Sequence, residues 1–139
     1  MTGDRIWFPC AAMVLVTALV WIRLYVDRLG EMRSKRIDPQ SLATAGAAAG
    51  RLGNTRAADN FRNLFEVPVL FYVFCIAIAN NGGSTPGLRA AAWAYVLLRA
   101  LHSAIHVSYN RVTHRFLVHA ASTVLLFGLW IVFFMRISQ

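Results

Sequence analysis

The stretch "RNLFEVPVLFY" (residues 62–72) opens with charged and amide side chains and continues as an apolar run. The apolar part, residues 67–79, is shorter than the roughly 20 helical residues needed to cross a bilayer. A helix that spans the membrane here must therefore carry Asn63 and Glu66 to the membrane edge or below it. Ionisable side chains at that depth are costly, and they usually face the interior of a bundle or a functional site.

The composition indicates a membrane protein. Of 139 residues, 58% are hydrophobic and only 14% are charged, whereas soluble domains are about 25% charged. The apolar residues fall into four blocks, which predict helices over residues 6–26, 56–79, 88–109 and 112–137. We expect a single all-α domain over residues 1–139, an integral membrane four-helix bundle. The first block is longer than a signal-peptide core and is followed by charged residues, so we expect it to be a retained membrane helix.

The connections between the blocks differ in length. Residues 29–55 are rich in small residues and predict a loop with no more than one frayed helical turn. "NNGGSTPG" (80–87) predicts a turn, with Thr85 as N-cap and Pro86 at the first position of the next helix. "YNRVT" (109–113) is so short that the third and fourth blocks should form a tight helical hairpin.

The positive charges mark the loops. Fourteen Lys and Arg residues against six Asp and Glu give a net charge of +8. Because these charges lie at the ends of apolar blocks, they favour membrane anchoring over nucleic-acid binding. The first loop and its edge carry Arg28, Arg33, Lys35, Arg36 and Arg51, and the third loop carries Arg111, whereas the second has only Arg89 at its far edge. This predicts that the first and third loops face the cytoplasm and both termini face away from it.

Two polar stripes should meet at the cytoplasmic boundary. In the second block, Arg62, Asn63 and Glu66 are spaced to share one helix face, and in the third block Arg99, His102 and His106 do the same. The tight hairpin brings the start of the fourth block to the same depth. The layer predicted near the boundary contains Arg62, Asn63, Glu66, His102, His106, Tyr109 and Arg115.

The residue types in this layer suit a ligand with carboxylates, an ammonium group and a thiol. Guanidinium groups bind carboxylates in bidentate fashion, a glutamate can hold an ammonium group, and an arginine near a thiol favours the thiolate. Glutathione carries all three groups, although the pattern alone is not specific to it.

Structural roles are open for each of these residues. Arg62 and Glu66 have the spacing of an i,i+4 ion pair, and Arg99 could snorkel or pair with a neighbouring helix. His102 and His119 have the character of hydrogen-bond partners between membrane helices, and Pro68 could simply kink its helix. The histidines lack the Cys or Asp companions of a metal site, so no metal is expected. Cys10 and Cys75 lie in apolar blocks, where inert thiols are expected.

The motifs "RNLFEVP" (62–68) and "LRALHSAIHVSYNRVTHRF" (98–116) resemble the MAPEG family, the membrane-associated proteins in eicosanoid and glutathione metabolism. The resemblance extends over nearly the whole chain, and "NFRNLFEVPVLFY" (60–72) is most similar to the bacterial branch. It implies a homotrimer of four-helix subunits in the bacterial inner membrane, with glutathione as co-substrate held between adjacent subunits.

The resemblance also implies roles for particular residues. Arg115 matches the arginine proposed to stabilise the glutathione thiolate, and would be catalytic. The residues that match or lie beside the family's glutathione-binding positions are Arg62, Asn63, Glu66, Arg99, His102, His106 and Tyr109. Two positions depart from the eukaryotic pattern, with Asp59 in place of an arginine and His106 in place of a tyrosine. Arg56 and Tyr109 are the candidate substitutes.

The expected function is a glutathione-dependent transferase or peroxidase acting on lipophilic electrophiles. A non-catalytic membrane protein that binds a lipid or other ligand is the alternative within the same family. A small proton-coupled exporter is a more distant alternative, and the position of Glu66 near one end of its helix argues against it.

Overall fold

The computed structural model describes residues 4–138, and this part of the chain forms six α-helices and one short 3-10 helix. Their bounds are α1 Trp7–Lys35, a 3-10 turn Pro39–Leu42, α2 Ala45–Arg51, α3 Arg56–Asn63, α4 Val67–Asn80, α5 Pro86–Val107 and α6 Val112–Ile137. The all-α prediction is confirmed for these residues. The predicted domain of residues 1–139 also includes residues 1–3 and 139, which lie outside the described part.

Within residues 4–138, three stretches are long and apolar enough to cross a membrane, Trp7–Lys35, Arg56–Asn80 and Val112–Ile137. The second stretch combines α3 and α4. Helix α5 has 22 residues, but its polar stripe keeps it outside this group. The count of four membrane helices therefore stays a prediction.

The second predicted helix, residues 56–79, is interrupted in the structure. Helix α3 ends at Asn63 and α4 begins at Val67, with Glu66 between them at φ −96° and ψ −113°. Pro68 has no N–H to donate to the Leu64 carbonyl, so the helical ladder is interrupted at this point. Because of this interruption, Glu66 lies between α3 and α4 and is not part of a regular helical turn.

Two predictions of local structure are wrong. Helix α1 extends to Lys35 instead of ending near residue 26. Residues 29–55 contain more than a frayed turn, because the two-turn helix α2 begins after the Thr44 side chain caps the Ala47 N–H. Glu31 joins these parts, since its carboxylate accepts hydrogen bonds from the Gly53 and Asn54 N–H groups at 2.6 and 3.2 Å.

The interior of the bundle is apolar, and its ends are polar. Phe71 of α4 stacks on Tyr95 of α5 with ring centroids 4.5 Å apart, and Met13 and Leu126 are buried in the same core. Cys75 is buried and Cys10 partly buried, both as free thiols. Helices α5 and α6 pack side by side after the short link, so the predicted hairpin is confirmed. This packing sets the start of α6 beside the end of α5.

Candidate functional site

A cleft of about 470 Å³ opens at the end of the bundle where α3, the end of α5 and the start of α6 meet. Its walls carry charged, amide and imidazole side chains together with two apolar residues. The lining residues are Thr55, Arg56, Asp59, Arg62, Asn63, Glu66, His102, His106, Asn110, Val112, Arg115, Phe116 and His119. The structure thus brings six of the eight sequence-predicted site residues to one cleft.

Asn63 and Glu66 form a bonded pair at the break between α3 and α4. The Asn63 Nδ2 atom donates to Glu66 Oε2 at 3.0 Å. On the other side of the amide, Arg99 Nη2 donates to Asn63 Oδ1 at 2.6 Å. Because a guanidinium can only donate, Arg99 fixes which end of the amide faces the Glu66 carboxylate.

Arg99 lies behind the cleft rather than on its wall. Its side chain is 0% exposed, and its second nitrogen, Nη1, contacts His119 Nδ1 at 2.9 Å. Among the described residues its hydrogen-bond partners are these two neutral side chains, Asn63 and His119. A buried cation is stable only when such acceptors replace its water.

Two buried histidines face the cleft from α5. His102 Nδ1 contacts the Arg115 carbonyl at 3.1 Å, and since a carbonyl only accepts, this nitrogen carries the hydrogen. His102 Nε2 and His106 Nδ1 are buried without a partner among the described residues. The ring centroid of His102 lies 5.7 Å from that of His106 and 5.4 Å from that of His119. Both nitrogens are thus buried polar atoms left without a partner beside the cleft.

The link between α5 and α6 places Arg115. Asn110 adopts a left-handed conformation with φ 52°, which asparagine tolerates better than most residues. Its N–H donates to the Ile105 carbonyl at 2.8 Å, and its Oδ1 accepts from Arg115 Nη1 at 2.8 Å. The guanidinium of Arg115 is therefore held at the cleft by the same turn that reverses the chain.

The cleft edge carries two further arginines. Arg56 Nη1 donates to the Ser108 carbonyl at 2.5 Å and joins α3 to the end of α5. Arg62 is exposed and approaches Asp59 at 4.0 Å, so the alternative of an i,i+4 pair with Glu66 is not what the structure contains. Asp59 also accepts a hydrogen bond from Thr55 at 2.8 Å, which offsets part of its negative charge.

A model of the MAPEG family matches residues 6–135. The chain belongs to the MAPEG family. Neither the comparison with curated proteins nor that with solved structures finds a match. Family membership together with the three long apolar stretches makes the chain an integral membrane protein.

For a MAPEG chain, the position of Tyr109 is the most notable difference from the sequence-based expectation. Its side chain is 59% exposed, lies outside the cleft lining and contacts His114 Nδ1 at 3.2 Å. Arg56, the other candidate substitute, does line the cleft.

Sequence reasoning missed His119 and Asn110 as parts of this MAPEG site. The sequence indicates only a structural role for His119 as a hydrogen-bond partner between helices, and its contact with Arg99 confirms that role. The sequence nonetheless contains a signal for His119, since residues i and i+4 share a helix face and His119 follows Arg115 by four.

Among residues 4–138, no group of His, Cys, Asp and Glu has an arrangement that could hold a metal ion.

Proposed function

We propose that this MAPEG protein binds glutathione in the cleft and uses its thiol to conjugate lipophilic electrophiles or to reduce lipophilic peroxides. The observation that carries the proposal is the bonded Asn63–Glu66 pair facing a cleft edged by Arg56, Arg62 and Arg115. The lining carries three guanidinium groups and two carboxylates, those of Asp59 and Glu66, so these groups give it a positive net charge. Such a lining complements a ligand with two carboxylates and one ammonium group.

Each ligand group has a partner of matching charge. The Glu66 carboxylate would accept from the ammonium group, while its other oxygen keeps the bond to Asn63. Arg62 and Arg56, which line the cleft, would hold carboxylates. Arg115 is the group assigned to the thiolate, because a permanently charged guanidinium favours that form.

The reaction needs a positioned thiolate and little else. The sulfur lone pair forms a bond to the electrophilic carbon, the leaving group departs with the bonding electrons, and the thiol proton passes to water. A peroxide could react similarly. Thiolate attack on the O–O bond would release an alcohol and leave a sulfenic acid, and a second glutathione would convert this to the disulfide with loss of water.

An apolar lip at the cleft favours a lipophilic second substrate. Val112 and Phe116 line the cleft and are 63% and 64% exposed. Both belong to α6, one of the membrane-spanning candidates. A substrate dissolved in the bilayer would therefore meet the thiolate beside Arg115 without crossing water.

The proposed assembly is a homotrimer in a bacterial inner membrane, with α5 as the fourth membrane helix and both termini on the periplasmic side. Helix α5 exposes Leu97 and Leu101 although it carries the polar stripe, which suits a helix with one face toward the bundle and the other toward lipid or a partner subunit. The basic first and third loops support a cytoplasmic cleft.

A non-catalytic ligand-binding role is the second candidate. The outward position of Tyr109 favours this role, because a tyrosine outside the cleft cannot help Arg115 to activate the thiol. Mixing the purified protein with glutathione separates the two functions. A catalytic protein gives the ultraviolet absorbance of a thiolate at neutral pH and conjugates a generic electrophile, whereas a binder gives affinity with neither signal. Absence of glutathione binding contradicts the transferase and leaves a binder of a lipid or other ligand.

A further inference from the structure

The hydrogen bonding of Arg99 determines the tautomer of His119. Arg99 Nη1 lies 2.9 Å from His119 Nδ1, and a guanidinium has no acceptor. Nδ1 must therefore be the unprotonated nitrogen. A neutral imidazole then carries its hydrogen on Nε2, and an imidazolium, with hydrogens on both nitrogens, would set donor against donor.

The protonated nitrogen points away from the buried guanidinium. Nδ1 and Nε2 lie on opposite sides of the ring, and Arg99 is fully buried while His119 is half-buried and lines the cleft. His119 Nε2 has no hydrogen-bond partner among the described residues, nor is it one of the buried unsatisfied atoms. It is thus an accessible N–H donor on the cleft side.

His119 and Arg115 present their donors from the same face of α6. Residues four apart on a helix have Cβ atoms about 5–6 Å apart, and both side chains line the cleft. The Arg115 Nη1 group is already bonded to Asn110, which leaves its remaining N–H groups for a ligand. An anion bound beside Arg115 would also lie close to the Nε2–H group of His119.

We infer that His119 is a second donor to the glutathione sulfur, and that Arg99 is a positioning residue that presents it. Arg99 acts on both sides of the site, since the same guanidinium orients the Asn63 amide toward Glu66. This inference rests on the proposed function. It changes the expected role of Arg99 from a direct glutathione contact to a group that sets the hydrogen-bonding direction of two cleft residues.

The tautomer is tested without any ligand. In protein labelled with ¹⁵N-histidine, the His119 signals, assigned by their loss in His119→Gln, should show an unprotonated Nδ1 and a protonated Nε2. Arg99→Lys, which keeps the charge but cannot reach both Asn63 and His119, should give a mixture of tautomers. A protonated Nδ1 in the parent protein overturns the positioning role of Arg99.

The donor role is tested with two matched variants. His119→Asn keeps an acceptor near Nδ1 for Arg99 but removes the distal N–H, whereas His119→Gln extends its amide toward the Nε2 position. Loss of a hydrogen bond to a charged group corresponds to roughly a ten- to hundred-fold effect. We expect the Asn variant to lose about that much in thiolate formation and conjugation rate, and the Gln variant to retain more of both.

S-methylglutathione, which cannot form a thiolate, should bind the parent and His119→Asn equally well. A parent-level thiolate signal in the Asn variant overturns the donor role. Absence of a thiolate signal from the parent contradicts the catalytic proposal and the donor role together, while the ligand-free tautomer result still decides the role of Arg99.

Discussion

Arg115 takes its position from a turn of four residues, not from its own helix alone. The left-handed Asn110 both closes the end of α5 and accepts a hydrogen bond from the Arg115 guanidinium. Arg115 is partly exposed, so it pays little desolvation cost and keeps donors free. A guanidinium held in this way is already oriented before a thiol arrives, which is the condition for efficient electrostatic stabilisation.

Replacing Arg115 with Ala should remove the thiolate without unfolding the protein. A tenfold increase in thiol acidity corresponds to about 1.4 kcal/mol, and the loss of Arg115 should cost at least this in thiolate stability. We expect most of the conjugation rate and the ultraviolet thiolate signal to disappear while much of the glutathione affinity remains. Arg115→Lys should recover part of the rate, because a point charge replaces the planar fork.

Arg111→Ala is the matched control for Arg115→Ala, because Arg111 is an exposed arginine of the same link and lies outside the cleft lining. It should leave conjugation unchanged. If Arg115→Ala instead conjugates at the parent rate while His102→Ala or Tyr109→Phe does not, the activating role belongs to that residue.

Glu66→Ala should weaken glutathione binding about ten- to a hundred-fold, the effect of losing a hydrogen bond to a charged group. Its carboxylate is the one proposed for the ammonium group, and Asn63 would lose its partner as well. Isothermal calorimetry measures the change. Glu66→Gln keeps the side-chain shape and an acceptor for Asn63, so it isolates the charge. Unchanged affinity in Glu66→Ala would contradict this site.

At the scale of the elements, the sequence indicated that the second helix could be kinked at Pro68, but not that it would be divided into α3 and α4. Pro68 indicates a disturbed turn, and in the structure both the end of α3 at Asn63 and the start of α4 at Val67 precede it. The length of α1 was only partly predictable from its own residues. The i,i+4 pair of Glu31 and Lys35 is local, but Glu31 also accepts hydrogen bonds from the Gly53 and Asn54 N–H groups, contacts across 22 and 23 residues that no local pattern reveals.

The same distinction applies to the candidate site. The i,i+3 and i,i+4 stripes and the short link sufficed to place Arg62, Asn63, Glu66, His102, His106 and Arg115 in one layer. The partners of Arg99 were not predictable, because they depend on the rotation of α5 against α3 and α6. That rotation turns Arg99 inward to Asn63 and His119, and side-chain spacing within one helix contains no information about it.

Asp4 should make stability depend on pH at the opposite end of the bundle. Its carboxylate accepts hydrogen bonds from the Ile6 N–H at 2.9 Å and from both the N–H and the hydroxyl of Ser84. Partial burial alone would raise the Asp4 pKa, but these hydrogen bonds and the nearby Arg89 guanidinium outweigh it and lower the pKa below its ordinary value. The carboxylate therefore ties the start of α1 to the turn before α5.

The sign of the effect follows from the lowered pKa. The stabilisation is fully present above about pH 4, the ordinary range of an Asp side chain, and is lost as the pH falls through the lower folded-state value. We expect Asp4→Asn to lower the melting temperature of the detergent-solubilised protein at pH 7 and to reduce the difference between pH 7 and pH 3. An equal acid loss in parent and variant would contradict the assignment.

At the scale of the whole molecule, the surface separates into an apolar belt and a polar end. Leu15, Leu19 and Val26 of α1 and Val124 and Ile131 of α6 are exposed, which suits contact with lipid or with another subunit. The cleft opens at the end that carries the basic loops, and Arg62 at its edge projects outward. An outward cationic side chain at an open cleft is well placed to act across a subunit boundary.

The proposed topology is measurable with reporters. A periplasm-specific reporter fused after residue 138 should be active, and the same reporter fused after residue 111, in the third loop, should be inactive. These two outcomes require one crossing between residues 111 and 138, which is α6. The same reporter fused after residue 83, in the link before α5, should be active and tests whether α5 crosses. A cytoplasmic C-terminus would contradict the assignment.

The proposed trimer is best measured by native mass spectrometry in detergent, because the chain has a single lysine and amine cross-linking would report few contacts. We expect closed trimers, with helices α3 to α5 contributing much of the contact.

Mixing Arg62→Ala subunits with Glu66→Ala subunits then tests whether one site draws on two chains. If Arg62 acts across the boundary, mixed trimers contain some sites with both residues intact and recover glutathione binding that neither variant has alone. If all site residues come from one chain, mixing recovers nothing, and a distribution that stops at dimers would contradict the trimer itself.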